Sequence, residues 1–311
     1  MSDFWKGRRV LVTGGAGFLG SHIVSTLLER KTVVAVADVG ECNLRNYEEC
    51  WDAFHDFMPQ IVFHLAAKVG GICQNISAPA DFIRDNLLLG VNAFEASSAM
   101  GVGKLIIAGS ACAYPERVVN PIDEDMMWLG HPEESNGPYG VAKRALLTLA
   151  EAYRKQYGLN CNVVIPTNMY GPGDKSHHVI PDLIRKFTEA AESGATTVKC
   201  MGTGEAKRDF LYVTDAADAF IKCAEFYDGG LPMNIGSGSD ISIAVLALKI
   251  ANACGYQGEI IWDGEGPNGQ ANRLLRVTRA ERLIGFKPKV SLDRGLEMTV
   301  AAHRMSKAPM L

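Results

Sequence analysis

Short runs of aliphatic residues alternate with longer helix-like segments along the first half of the chain. The runs predict buried strands at Val10–Val12, Val33–Ala37, Ile61–Leu65, Lys104–Ala108 and Cys161–Ile165. The segments between them predict helices at 21–30, 47–58, 79–100 and 137–157. Strands and helices that alternate in this way form a parallel sheet with helices on both faces, so the pattern predicts an α/β fold with a doubly wound parallel sheet.

The alternation becomes less regular after residue 165. Loops rich in glycine and proline, such as Gly171–Asp174, separate short helices from isolated strands. The segment Asp209–Ile235 is predicted to return to the main sheet, with a strand at 210–213, a helix at 214–226 and a strand at 233–235. We therefore predict two interleaved units, one formed by residues 1–165 and 209–237 and a smaller, mostly α-helical one formed by residues 166–208 and 238–311.

The turn after the first predicted strand carries three regularly spaced glycines. Gly14, Gly17 and Gly20 form a G-x-x-G-x-x-G pattern between that strand and the next helix. Glycines at this position permit a tight turn and close approach of the backbone to a pyrophosphate, and the helix N-terminus attracts negative charge. The pattern predicts a dinucleotide-binding site of the Rossmann type in the unit of residues 1–165 and 209–237.

The end of the second predicted strand bears on which dinucleotide is bound. Asp38 ends this strand, and no basic residue lies between Thr32 and Leu44. A carboxylate there would hydrogen-bond a ribose hydroxyl and repel a 2′-phosphate, which favours NAD over NADP. Two alternatives stay open, because Asp38 could instead cap a loop and because Lys68 or Arg45 could reach the phosphate.

A tyrosine and a lysine one helical turn apart predict a proton-donating pair. Tyr139 and Lys143 share one face of the helix at 137–157, and Ser110 follows the strand that ends at Ala108. A cation beside a phenol stabilises the phenolate, so Lys143 is expected to lower the pKa of Tyr139 from its usual value of about 10. Ser110 is expected to hydrogen-bond the same reacting oxygen. The trio predicts chemistry at a carbonyl group that faces a nicotinamide.

Composition narrows the class of protein. A chain of 311 residues, 47% of them hydrophobic, forms a large core in one or two domains. Its net charge of −4 gives no reason to expect a nucleic acid or an anionic membrane as a partner. No apolar stretch approaches a membrane span of about 18 residues, and the start of the chain lacks the apolar core of a signal peptide, so we expect a cytoplasmic protein. The eight cysteines lack zinc-site spacing, and we expect no metal.

Several longer strings of residues together resemble one family. They are His64–Ile72, Pro79–Ile83 with Asn86, Gly109–Pro115, Pro166–Pro172, His178–Pro181, Arg208–Leu211 and Asn234–Gly238. The glycine pattern and the Tyr-x-x-x-Lys pair mark the extended short-chain dehydrogenase/reductase superfamily. The string Ala66–Ile72 and the pair Cys112 and His178 mark a smaller group of proteins within that superfamily. On these strings, residues 8 to 300 resemble the GDP-L-fucose synthase family.

The resemblance implies a reaction and a role for several residues. Members of the family epimerise a GDP-4-keto-6-deoxyhexose at C3 and C5 and then reduce its C4 ketone, usually with NADPH. The resemblance therefore favours NADP, whereas Asp38 favours NAD. The resemblance implies that Cys112 and His178 exchange protons in the epimerisation, and both residue types do so near neutral pH. It implies that Ser110, Tyr139 and Lys143 act in the reduction. The implied partners are a GDP-linked sugar and a second copy of the chain in a homodimer.

The resemblance also implies two sets of binding residues. The cofactor set is Gly14, Gly17, Phe18, Leu19, Gly20, Asp38, Asn43, Leu44, Leu65, Ala66, Ala67, Tyr139, Lys143, Pro166, Asn168 and His178. The substrate set is Val69, Gly70, Asn168, Lys186, Met201 and Arg208. Arg208 is expected to hold the diphosphate, because a guanidinium donates to two oxygens at once.

The chain departs from the family's pattern at three places. The segment Gly173–His177 is shorter than usual, and Arg276 stands where an aspartate is common. The string Pro267–Gly269, followed by Asn272 and Arg273, stands where Pro-Asp-Gly and then Arg-Lys are common. These departures leave the sugar and the nucleotide open.

Two other functions stay open on the sequence. Asp38 and the short segment Gly173–His177 favour a redox-neutral epimerase or mutase of a GDP-sugar that keeps its NAD(P) bound. The other alternative is a dinucleotide-binding regulator without catalysis, since a fold does not fix a function. The presence of Ser110, Tyr139 and Lys143 speaks against the regulator.

Overall fold

The computed structural model of the protein describes residues 3–176, 178–264 and 270–307. Its strands are β1 Arg9–Thr13, β2 Val33–Ala37, β3 Ile61–His64, β4 Lys104–Ala108, β5 Cys161–Pro166, β6 Asn168–Tyr170, β7 Thr197–Cys200, β8 Lys207–Tyr212, β9 Met233–Ile235, β10 Asp240–Ser242, β11 Glu259–Trp262 and β12 Asn272–Arg273. Its α-helices are α1 Phe18–Glu29, α2 Tyr47–Phe57, α3 Ile72–Ser77, α4 Pro79–Ala99, α5 Gly137–Tyr157, α6 Val179–Ser193, α7 Val213–Phe226, α8 Ile243–Ala253, α9 Thr278–Ile284 and α10 Leu292–Lys307. His177 and the sequence departure at Pro267–Gly269 lie outside the described residues.

Six parallel strands form the main sheet, in the order β2-β1-β3-β4-β5-β9. Neighbouring residues of β1 illustrate why both faces are covered. Val10 and Val12 pack with helices α1, α7 and α9, whereas Leu11 packs with α2, α4 and α5. Because side chains alternate between the two faces of a strand, an uninterrupted aliphatic run requires helices on both sides. The predicted doubly wound sheet is confirmed.

The strand order reverses at β1, which has β2 on one side and β3 on the other. The loops that leave the carboxyl ends of β1 and β3 therefore separate and leave a crevice between them. In doubly wound sheets this switch point is where ligands bind. The glycine turn follows β1, and the string that begins at Leu65 follows β3, so both predicted motifs lie at this crevice.

One prediction about the main sheet is wrong. The strand predicted at 210–213 does not join it, because β8 pairs with β6, β10 and β12 in a separate four-stranded sheet. Val213 is the first residue of α7 rather than the end of a strand. Strand β9 pairs with β5 instead, and Val164 lies opposite Met233. Only the helix and the last strand of the segment Asp209–Ile235 return to the main sheet.

A third apolar core lies beyond the main sheet. It is formed by α6, α8 and α10 together with residues of β6, β7 and β8. Phe187, Leu246 and Leu296, one from each helix, are almost fully buried in it. The division into units of 1–165 with 209–237 and 166–208 with 238–311 stays a prediction.

Candidate active site

A large cavity opens at the carboxyl ends of the strands. Its volume is about 1300 Å³, larger than the range of roughly 300–1,000 Å³ that is typical for one small ligand. Every residue that the sequence proposed for the site lines this cavity: Gly14, Gly17, Phe18, Leu19, Gly20, Asp38, Asn43, Leu44, Leu65, Ala66, Ala67, Val69, Gly70, Ser110, Cys112, Tyr139, Lys143, Pro166, Asn168, His178, Lys186, Met201 and Arg208. The cavity therefore has room for a dinucleotide and a second ligand together.

The glycine turn has the geometry that a dinucleotide requires. Gly14 has a φ of +71°, and a Cβ atom on it would lie 2.8 Å from the backbone nitrogen of Ala66. A Cβ atom on Gly20 would collide with the carbonyl oxygen of Gly14, so helix α1 lies directly against the turn. Gly17 is the N-cap of α1. These residues present a bare helix N-terminus to the cavity, which fits an anionic pyrophosphate.

Asp38 caps this turn from the end of β2. Its Oδ2 accepts a hydrogen bond of 2.6 Å from the backbone N–H of Ala16. The side chain is thereby held at the rim of the cavity, beside Asn43 and Leu44. Asp38 therefore caps a loop, which was one of the alternatives left open by the sequence. A capping oxygen does not exclude ribose recognition, because a carboxylate has a second oxygen.

Two cations near this end of the cavity share one buried carboxylate. Asp85 has a side chain only 3% exposed, and its Oδ2 lies 3.1 Å from Arg45 Nη1 and 3.4 Å from Lys68 Nζ. Its other oxygen, Oδ1, lies 2.7 Å from Arg84 Nη2. Burial acts to raise the pKa of Asp85, but the hydrogen bonds from Arg84, Arg45 and Lys68 outweigh it and lower that pKa. Asp85 is therefore ionised at neutral pH and holds both cavity cations.

Ser110, Tyr139 and Lys143 meet in the cavity below the end of β4. The Ser110 side chain hydrogen-bonds Tyr139. Lys143 Nζ lies 5.9 Å from the centroid of the Tyr139 ring and donates to the carbonyl oxygen of Ala108 at 2.9 Å. Helix α5 carries the tyrosine and the lysine, and the strand end supplies the serine, so the trio is brought together as the sequence proposed.

The electrostatics of the trio differ from the prediction. The pKa of Tyr139 is raised, chiefly because burial disfavours the phenolate and also because Cys112 is near, while the hydrogen bond with Ser110 acts in the opposite direction. Burial lowers the pKa of Lys143 to about 8. The expectation that the pKa of Tyr139 is lowered is therefore wrong in this structure, because desolvation by burial is the largest influence on that pKa.

Cys112 and His178 line the same cavity from different elements. Cys112 is half-buried, and its backbone N–H donates to Ser110 Oγ at 3.1 Å. His178 is exposed and is the N-cap of α6. A hydrogen bond of 3.4 Å from the His178 N–H to Ser176 Oγ fixes its backbone. The geometry brings a thiol and an imidazole to one ligand-sized space.

The residues proposed for the substrate line the same cavity. Asn168 Nδ2 donates to the carbonyl oxygen of Asp209 at 3.0 Å, which holds β6 against β8. Lys186 Nζ donates to the carbonyl oxygen of Lys199 at 3.4 Å. The pKa of Arg208 is lowered to about 10, first by burial and then by the charge of Arg273, while Cys112 and Glu133 act in the opposite direction. Two guanidiniums thus lie close enough to repel each other.

Sequence reasoning did not assign a role to several residues that line this cavity. They include Asp85, Glu133, Trp262, Gln270 and Arg273. Arg273 appeared only as a departure from the family's pattern, and its spacing carried no functional signal. These side chains reach the cavity from segments that are distant in sequence, and no local motif marks such residues.

Two features are missing from the described ranges of the chain. Among residues 3–176, 178–264 and 270–307, no group of three or more His, Cys, Asp or Glu side chains is arranged to hold a metal ion. Within the same ranges, no helix combines the length and the apolar character needed to cross a membrane.

Comparisons with known proteins agree with this geometry. The NAD dependent epimerase/dehydratase family matches residues 10–236. The chain is 41% identical over 296 residues to the GDP-L-fucose synthase of Sinorhizobium fredii, covering 93% of each chain. It is 38% identical over 306 residues to that of Escherichia coli, covering 94% of this chain and 95% of the other.

A solved structure shows the same architecture. A GDP-mannoheptose C4 reductase from Campylobacter jejuni with NADP bound superimposes with a TM-score of 0.89 at 29% identity, over 98% of this chain and 99% of the other. The chain belongs to the NAD dependent epimerase/dehydratase family and, within it, to the GDP-L-fucose synthases.

Proposed function

We propose that the protein converts a GDP-linked 4-keto-6-deoxyhexose by epimerisation at C3 and C5 and reduction at C4. The observation that carries this proposal is the meeting of Ser110, Tyr139 and Lys143 with Cys112 in one cavity, directly beyond the glycine turn. Relatives named GDP-L-fucose synthase, 38–41% identical over nearly the whole chain, support the choice of substrate class.

The reduction depends on a proton donor at the C4 oxygen. A bound NAD(P)H supplies the hydride for C4. Tyr139 donates its phenolic proton to the oxygen that develops negative charge, and Ser110 hydrogen-bonds the same group. A raised pKa suits Tyr139 to this role, because the phenol keeps its proton until the alkoxide forms. Lys143, charged below its pKa of about 8, then stabilises the phenolate.

The epimerisation depends on a proton acceptor and a proton donor near the sugar ring. The C4 ketone acidifies the hydrogens on C3 and C5, because the electron pair left on carbon passes to the carbonyl oxygen as an enolate. We assign the proton exchange to Cys112 and His178, which reach the cavity from the loop after β4 and from the start of α6.

Two cations of the cavity supply positive charge for the diphosphate. Arg208 and Lys186 both line the cavity, and a guanidinium binds two phosphate oxygens at once. Burial, and after it repulsion by Arg273, lowers the pKa of Arg208, and a bound diphosphate would relieve that repulsion. We therefore assign Arg208 to the diphosphate, with Val69, Gly70, Asn168, Lys186 and Met201 as the remaining substrate contacts.

We propose NAD(H) rather than NADP(H) as the cofactor. Asp38 lies at the end of β2, where a carboxylate favours a free ribose hydroxyl over a 2′-phosphate. Arg45 and Lys68, the cations that could reach such a phosphate, are both bound to Asp85. The Campylobacter jejuni relative was solved with NADP, so this choice separates the chain from that neighbour.

We also propose a homodimer that pairs α4 and α5 of two copies. Leu88 and Val91 on α4 and Val141 on α5 are exposed apolar side chains. A helix pair with such a face buries it in a second copy of the same pair.

The test is an assay of purified protein with GDP-, UDP- and dTDP-linked 4-keto sugars, with NADH and NADPH in parallel. The expected result is loss of reduced nicotinamide, stoichiometric with product, for the GDP-linked ketone and NADH. Turnover of sugar with no net loss of reduced nicotinamide would support the redox-neutral isomerase instead. Activity equal to that of a Tyr139→Phe variant on every sugar would support the non-catalytic regulator.

A further inference from the structure

A guanidinium makes direct contact with the candidate catalytic thiol. Arg273 Nη1 lies 3.4 Å from Cys112 Sγ, across 161 residues of sequence. The arginine is only 8% exposed. Its Nε donates to Gln270 Oε1 at 2.7 Å, and Gln270 Nε2 donates to the carbonyl oxygen of Glu116 at 2.6 Å. Gln270 therefore braces the guanidinium, and the Arg273 fork is held toward the sulfur.

The other charged and titratable groups around Cys112 come from several elements. Arg208 on β8 interacts electrostatically with Cys112 and with Arg273. Tyr139 on α5 also interacts with Cys112, and a protonated phenol adds no charge. Glu133, in the loop before α5, interacts with both arginines. His178 lines the same cavity from the N-terminus of α6.

The balance of these charges is positive beside the sulfur. Two guanidiniums face one carboxylate, that of Glu133. This carboxylate accepts hydrogen bonds from Ser135 and Asn136. Burial acts to raise the pKa of Glu133, but those bonds and the charge of Arg273 lower it, so the carboxylate is ionised at neutral pH. A thiol beside Arg⁺ in a partly exposed site is the environment in which a cysteine ionises readily.

We propose that Arg273 is a positioning residue that stabilises the thiolate form of Cys112 and so makes this cysteine a proton acceptor. In the step that follows, a C–H bond next to the ketone breaks and an S–H bond forms. The electron pair of the C–H bond passes to the carbonyl oxygen, and the charge of Arg273 is unchanged. This proton transfer rests on the proposed function, whereas the ionisation of Cys112 does not.

The test measures alkylation of Cys112 by iodoacetamide between pH 6 and pH 9, quantified by mass spectrometry of the peptide that contains it. Only the thiolate is alkylated, so the rate reports the ionised fraction. Cys73, which is exposed on α3, is the reference in the same samples. In Arg273→Gln, alkylation of Cys112 relative to Cys73 at pH 7 is expected to fall about tenfold, and its pH curve to move to higher pH. Arg273→Lys, which keeps a cation, is expected to retain most of the rate.

A pH curve of Arg273→Gln that matches the wild-type curve, relative to Cys73, would overturn the inference. If Arg273→Gln does not fold, Gln270→Leu removes the brace without removing the cation, and a reduced rate at Cys112 is then expected. An unchanged rate in that variant contradicts the proposal. The measurement uses no sugar. A protein that shows the predicted alkylation but turns over no 4-keto sugar would refute the proposed function and leave the role of Arg273 intact.

Discussion

The two ends of the cavity handle charge in opposite ways. The cofactor end, formed by the glycine turn with Asp38, Arg45 and Asp85, contains charges that are already matched. Asp38 accepts from the Ala16 N–H, and Asp85 binds Arg45. At the substrate end, formed by Cys112, His178, Arg208 and Arg273, two guanidiniums repel each other. Burial first, and the charge of Arg273 second, lower the pKa of Arg208 to about 10.

The difference matches the ligands proposed for each end. At the cofactor end, backbone N–H groups and the helix N-terminus can hold a pyrophosphate, so side-chain cations are not needed there. At the substrate end, concentrated positive charge is costly until a diphosphate neutralises it, and it also favours an ionised thiol. The proposed catalysis is thus divided between a reduction group beside the cofactor end, formed by Ser110, Tyr139 and Lys143, and a proton-exchange group at the substrate end.

The strongest test of this division removes one reacting group from each side. Tyr139→Phe deletes the proton donor of the reduction, and loss of general acid catalysis costs about 10²- to 10⁴-fold in rate. We expect that loss in oxidation of NAD(P)H, while hydrogen exchange at C3 and C5 in deuterated water continues. Cys112→Ser is expected to do the reverse and to leave reduction of an already epimerised ketone largely intact.

The matched control is Tyr157→Phe, because Tyr157 is an exposed tyrosine on the same helix. It is expected to behave as the wild type in both assays. Equal failure of Tyr139→Phe and Cys112→Ser in both assays would show that the two groups do not act separately.

A second test concerns the buried lysine of the reduction group. The pKa of Lys143 is about 8 in the folded protein and 10.5 in the reference state, so the unfolded chain holds more protons between these values. Stability therefore rises with pH across that window, as the penalty for burying the charge is relieved. A shift of this size corresponds to about 3 kcal/mol. Lys143→Met removes the titration, so any stability advantage of the variant is expected to shrink as pH rises from 8 to 10.

Urea unfolding at several pH values measures this change. Lys155→Met is the control, because Lys155 is exposed on the same helix and should leave the pH dependence as in the wild type. A constant difference between Lys143→Met and the wild type across the window would mean that Lys143 is not desolvated as described.

The smallest expected effect tests the matched charges at the cofactor end. Asp85→Asn should release Arg45 and Lys68 and so favour a 2′-phosphate, with affinity for NADPH rising about tenfold, or about 1.4 kcal/mol, relative to NADH. Fluorescence titration of the two reduced cofactors measures the ratio. Asp81→Asn is the control, because the ion pairs of Asp81 within the described part of the chain are with Lys68 and Arg84 and not with Arg45. The same change in the affinity ratio in both variants, or no change in either, would show that Asp85 does not determine the choice of cofactor.

The sequence by itself determined the parts of the protein that depend on local patterns. Aliphatic runs fixed the first five strands of the main sheet, because an uninterrupted run needs apolar neighbours on both faces. The glycine spacing fixed the turn after β1, since a Cβ on Gly20 has no room there. The one-turn spacing of Tyr139 and Lys143 placed them on one helix face in front of Ser110.

Only the tertiary structure decided which distant segments meet. It paired β8 with β6, β10 and β12 rather than with the main sheet, because pairing depends on partners that have no signal within the strand itself. It raised the pKa of Tyr139, because burial disfavours the phenolate and the spacing of residues does not reveal burial. It also brought Arg273 to Cys112 across 161 residues. Local sequence encodes secondary structure and turns, whereas the electrostatics of a cavity depend on the packing that closes it.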